Sequence, residues 1–152
     1  MSLRPLLAAV VLSAAVVSPA FAAPAKSSSL VAANKKDGAS YTVELTAKGP
    51  YKKGAEGTAS LVLKAKPGFH VNPDYPAKFK LQDPAPEGVT YPKKVLKKED
   101  GKFEEMQATF GVPFVAANAG KAKIGGTFHF SVCSDKNCFL EKQDLEVDVD
   151  VK

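Results

Sequence analysis

From Tyr41 to Lys48 the chain alternates: Tyr41, Val43, Leu45 and Ala47 stand against Thr42, Glu44, Thr46 and Lys48. A period of two is the signature of a strand with one buried and one wet face. The pattern returns at Ala59, Leu61, Leu63 and Ala65 and ends at Pro67-Gly68, a turn signal. A short strand is expected from Lys78 to Gln82, with Phe79 and Leu81 on one face. Phe128, Phe130 and Val132 alternate with Thr127, His129, Ser131 and Cys133, and Leu145, Val147, Val149 and Val151 with Glu146, Asp148 and Asp150. Between these runs "FHVNPDYP" reads as a loop, because Pro73 and Pro76 flank Asp74 and Tyr75. "VTYPKKVLKK" reads as a short edge strand interrupted by proline. In "KFEEMQATFGVPFVA" the first part is compatible with a helix. Thr109, Phe110, Val112 and Phe114 favour a strand, kinked at Gly111-Pro113. Some seven or eight short strands with Gly and Pro turns and no long helix predict an all-β, immunoglobulin-like β-sandwich. The lack of tryptophan and the short cysteine separation set it apart from antibody-type domains.

The front of the chain has a different texture. One basic residue, Arg4, precedes an apolar run from Leu6 to Val17, a break at Ser18-Pro19 and the small-x-small triplet Ala20-Phe21-Ala22. This predicts a secretory signal peptide over residues 1–22. The run is short for a membrane span, which needs about 20 residues, and no cysteine follows the expected cut to carry a lipid. Residues 23–39, rich in Ala, Ser and Lys, read as a flexible lead-in. Residues 40–152 then form a single domain, and the mature protein is expected to be periplasmic or secreted and not membrane-spanning.

Without Arg4, 20 basic side chains face 16 acidic ones, a net charge of about +4. The densest basic run, "YPKKVLKKEDGK", is interrupted by Glu99 and Asp100 and has no arginine, which argues against nucleic-acid binding and for a solvated lysine face. No phosphate loop, serine nucleophile elbow or zinc-protease helix is present. His70 and His129 are the only histidines, and neither stands at a metal-ligand spacing from the cysteines. No metal or cofactor is expected.

The chemistry left is in "FSVCSDKNCFLEK". Cys133 and Cys138 are the only cysteines, so in an oxidising compartment they pair with each other. Ser134, Asp135, Lys136 and Asn137 are turn residues, which places the pair at the tip between two antiparallel strands. Such a bond is a structural brace or an exchanging pair. As a brace it is modest, about 2 kcal/mol for a six-residue loop. As an exchanging pair it needs a reachable sulfur and a tuned thiolate. Lys136 favours a thiolate, whereas Asp135 opposes it unless it acts as a proton acceptor.

"FSVCSDKNCFLEKQDLEVDV" resembles the cysteine-bearing segment of the N-terminal periplasmic domain of DsbD-type thiol–disulfide interchange proteins, and "GFHVNPDYPAKFKL" is similar to an earlier segment of that family. The likeness runs from about Ser40 to Lys152. It implies an immunoglobulin-like domain whose Cys133/Cys138 pair takes electrons from a membrane-embedded donor and passes them to thioredoxin-like periplasmic proteins. It further implies that Asp135 aids proton transfer and that an aromatic, here Tyr75, caps the cysteines. The segment departs from the family pattern after the second cysteine, where "FLEK" has no proline, and before the first, where "FSV" stands in place of Tyr-x-Gly. The family's membrane and thioredoxin-like domains have no counterpart in this sequence, so another protein is expected to reduce it. The alternative is a non-catalytic immunoglobulin-like binding module with a structural disulfide.

Overall fold

The computed structural model describes residues 31–152. The expected signal peptide, residues 1–22, lies outside the described residues, as does the first part of the lead-in.

Eleven strands make two antiparallel sheets. They are β1 Val31–Asp37, β2 Tyr41–Lys48, β3 Glu56–Ala65, β4 His70–Val71, β5 Lys78–Leu81, β6 Val89–Thr90, β7 Val95–Lys97, β8 Gly101–Phe103, β9 Gln107–Ala116, β10 Gly120–Cys133 and β11 Cys138–Val151. The first sheet has the order β1-β2-β3-β9-β6, with β8 also on β9; the second has the order β11-β10-β5-β7, with β4 also on β10.

The alternating residues are what join the sheets. Val43, Leu45, Leu61, Leu63, Phe79, Phe128, Phe130, Leu145 and Val149 are buried in one core. Aromatic edges cross the interface: Tyr41 of β2 meets Phe130 of β10 with ring centroids 4.8 Å apart, and Phe110 of β9 meets Phe128 of β10 at 5.6 Å. Edge-to-face pairs of this kind add about 0.5–1.5 kcal/mol beyond the area they bury. The all-β, immunoglobulin-like sandwich read from the sequence is the fold of the described chain.

Three local expectations need correction. Val31–Asp37, placed in a flexible lead-in, forms β1 and pairs with β2 from Val31↔Lys48 to Asp37↔Thr42. It is a sheet edge and stays largely exposed, so it lacks the apolar period that marks a strand in sequence. The kink expected at Gly111-Pro113 is absent from the pairing, for β9 keeps its register with β3 from Lys64↔Gln107 to Glu56↔Val115. On its other side β9 pairs with β8 up to Phe110 and with β6 from Val115, so Pro113 falls in an unpaired gap, where a missing N–H is tolerated. "VTYPKKVLKK" is two strands in different sheets: β6 completes the first and β7 the second, with Tyr91-Pro92 at the crossing.

Candidate functional site

β10 and β11 form a long hairpin whose last pair is Cys133↔Cys138. The two residues are joined by a disulfide, with α-carbons 3.9 Å apart. The turn beyond them holds itself. The Ser134 amide donates to the Asn137 carbonyl at 2.8 Å, and the Asn137 and Lys136 amides reach Ser134 Oγ at 3.1 and 3.4 Å. Serine here acts as the turn's side-chain acceptor. Fourteen consecutive register pairs run up to the bond. The hairpin therefore has its own determinants, and the disulfide closes a turn that is already closed.

The strand parity fixes which side of the sheet carries the chemistry. Val132 and Val71 are direct partners and both face the core. Successive side chains alternate, so Cys133 and its direct partner His70 share the opposite, outer face, and Cys138 joins them there. His70, Cys133 and Cys138 thus form one row across β4, β10 and β11. The next row confirms this parity: Asn72 Nδ2 donates to Ser131 Oγ at 3.3 Å, and the Asn72 amide to the Ser131 carbonyl at 3.0 Å. The two cysteines have unequal surroundings. Cys133, with strands on both sides, is 4% exposed; Cys138, on the sheet's edge strand, is exposed. Beside Cys138 stand two apolar side chains that solvent reaches, Phe139 at 42% and Leu140 at 70%. Leu140 lies on the cysteine face, and Phe139 points to the other side, where its ring edge meets Phe69 at 6.2 Å.

Further along the outer face, β5 replaces β4 as the neighbour of β10. There Lys78, His129 and Lys142 are partners across three strands. Burial, followed by the charges of Lys80, Lys78 and Lys142, pulls the His129 pKa below its usual value. His129 thus stands in a basic row that disfavours its charged form.

Asp135 is exposed on the turn between the cysteines. Tyr75 is half-buried in the loop after β4 and packs against the core, with its carbonyl accepting the Ala77 amide at 2.8 Å. Tyr75 lies outside β4 and so outside the strand pairing that sets the row of His70, Cys133 and Cys138. That pairing does bring in His70, which the sequence places in a proline-rich loop. The two-residue strand that carries it is too short to leave a period. The signal that was available is the single apolar Val71 after it, a core residue whose parity sends His70 outward.

The turn between β8 and β9 packs against the same strand. The Val71 amide donates to the Glu105 carbonyl at 2.8 Å, and the Ala65 amide to the Met106 carbonyl at 2.9 Å. A cleft of about 330 Å³ lies between, lined by His70, Val71, Pro73, Phe103, Glu104 and Glu105.

No protein-family model matches the chain, and no curated protein matches it. The reading of the site rests on the geometry above. Among the described residues no helix is long and apolar enough to cross a membrane.

Proposed function

We propose that the protein carries out thiol–disulfide exchange in the periplasm through Cys133 and Cys138, handing reducing equivalents to exported thiol proteins of the thioredoxin-like class. The observation that carries this reading is the asymmetry of the bond: an exposed sulfur-bearing residue on an edge strand is tied to a buried one, at the end of a hairpin that also has its own strand pairing and turn hydrogen bonds. Exchange needs a reachable sulfur to form the mixed disulfide and a second one held beside it to resolve it.

The step balances as follows. In the reduced protein the Cys138 thiolate attacks a partner's disulfide; a bond forms between Cys138 and the partner, and the partner's other sulfur leaves as a thiolate. Cys133, as thiolate, then attacks Cys138, the internal disulfide re-forms, and the partner's second sulfur leaves. Two electrons have passed to the partner. A donor dithiol, which the family resemblance places in a membrane-embedded protein, reverses the sequence. Phe139 and Leu140 offer the apolar contact against which an incoming protein surface docks. Asp135 and Tyr75 keep, by the same resemblance, the roles of proton-transfer aid and cap.

The exposed Phe139 and Leu140 also favour a second reading, a binding module in which the bond only braces the hairpin. Trapping separates the two. Cys133→Ala protein, in which Cys138 lacks its resolving partner, is expected to accumulate a mixed disulfide with a thioredoxin-like protein, whereas Cys138→Ala protein is not. If neither variant captures a partner, the bracing role stands.

A further inference from the structure

We propose that His70 is the proton-transfer partner of Cys133, an inference that rests on the exchange reading above and names a residue it does not use. Three observations converge on it. First, His70 is the direct cross-strand partner of Cys133, on the same face of the sheet. Side chains so paired have β-carbons about 4.5–5.5 Å apart, which places an imidazole nitrogen within reach of a sulfur. Second, Cys133 is 4% exposed. A buried thiol resists ionisation and has little water to take its proton, so its conversion to an attacking thiolate calls for a built-in acceptor. Third, His70 does not end in a closed interior. It lines the 330 Å³ cleft with Glu104 and Glu105, through which a proton taken from sulfur passes on to solvent.

Charged groups of both signs surround the row. Glu104 and Glu105, from the β8–β9 turn, border the cleft with His70. Asp135 and Lys136, on the turn beyond the cysteines, are exposed and act with opposite signs. Lys78, His129 and Lys142 stand in one row further along the face. Glu141 of β11 faces the other side, where its Oε2 accepts from the Tyr41 hydroxyl at 3.3 Å.

The proton follows the electrons. When Cys133 attacks the mixed disulfide at Cys138, its S–H proton goes to the His70 imidazole, the new S–S bond uses the sulfur's electron pair, and the partner's thiolate leaves. When a donor thiolate opens the internal bond at Cys138, Cys133 departs as thiolate and His70, as imidazolium, returns the proton.

The test uses the reduced protein with Cys138→Ala, which leaves Cys133 as the single thiol, and follows its ultraviolet thiolate absorbance against pH. Adding His70→Gln is expected to raise the midpoint of that titration by about one unit, a tenfold loss of thiolate at a fixed pH below it. An unchanged midpoint overturns the assignment. Adding His129→Gln instead, at the other histidine of this face, is expected to leave the midpoint in place; a shift as large as that of His70→Gln overturns the choice of His70 as the acceptor. If Cys138→Ala does not fold, the same question is put to the reduced two-cysteine protein through the pH profile of thiol alkylation. An inflection in the histidine range is expected in the parent and lost in His70→Gln; an identical profile in both contradicts the proposal. The single-thiol titration does not depend on exchange. A disulfide that never opens in redox buffers overturns the exchange reading, while the titration decides separately whether His70 and Cys133 share a proton.

Discussion

Cys133 and Cys138 are chemically alike and differ by where their strands sit. β10 has neighbours on both sides at Cys133, and β11 has one. The free thiol left in each single variant is therefore expected to differ in reactivity. Cys138 in Cys133→Ala protein should react with a bulky aromatic disulfide reagent at least about tenfold faster than Cys133 in Cys138→Ala protein, because access controls the rate. Equal rates would contradict the assignment of Cys138 as the outward sulfur. His129 gives a pH-dependent signature on the same face. Its pKa lies below the ordinary 6.5 through burial and the lysines Lys80, Lys78 and Lys142. The unfolded chain thus binds its proton more readily than the fold does. The neutral imidazole's contribution to stability is complete above about pH 6.5 and is lost as the pH falls from there towards the lowered value. His129→Gln is expected to flatten the fall in melting temperature between pH 7 and pH 5, by a small amount because the ring is partly solvated. Asp37 and Asp100, each lowered by a hydrogen bond from a lysine (Lys66 and Lys93), act in a separate window below their ordinary 3.8.

The β10–β11 hairpin carries the disulfide on which the proposed chemistry stands, and its integrity without that bond is open to measurement. The doubly substituted Cys133→Ala/Cys138→Ala protein is expected to keep the sheet signature in circular dichroism and to lose about 2 kcal/mol in urea unfolding. Collapse of the fold would mark the bond as a structural necessity. Register within the second sheet depends instead on Gly126, where a β-carbon would stand 2.2 Å from the Lys80 carbonyl oxygen, a backbone atom with no rotamer to move. Gly126→Ala is expected to cost about 1–3 kcal/mol by forcing β5 away from β10. The alternating runs of β2, β3, β10 and β11 were legible because each has one face on the core. The hairpin turn was legible because Ser134 to Asn137 are turn formers on either side of a cysteine. What escaped were elements without a buried stripe. β1 is an exposed edge, β4 has two residues, and β6 and β7 divide one proline-broken run between two sheets. The histidine beside the cysteines was hidden for that reason, since only the pairing of β4 with β10 brings His70 there.

At the scale of the molecule, two sheets share one aromatic core, and the proposed exchange site lies on the outer face of one of them. The chemistry and the packing are thus separable. Phe128 is fully buried and contacts Phe79, Phe110 and Phe130. Phe128→Ala is expected to destabilise the fold by about 3–5 kcal/mol, read by urea unfolding, while the disulfide's potential in the folded protein stays in place. The most direct test of the account is that potential itself. Protein equilibrated in graded thiol–disulfide buffers, then alkylated and weighed, reports the fraction of the Cys133–Cys138 bond that is open. The account predicts a midpoint between about −180 and −270 mV, the range from protein disulfide isomerase to thioredoxin; a midpoint below about −300 mV, where structural disulfides lie, would contradict it.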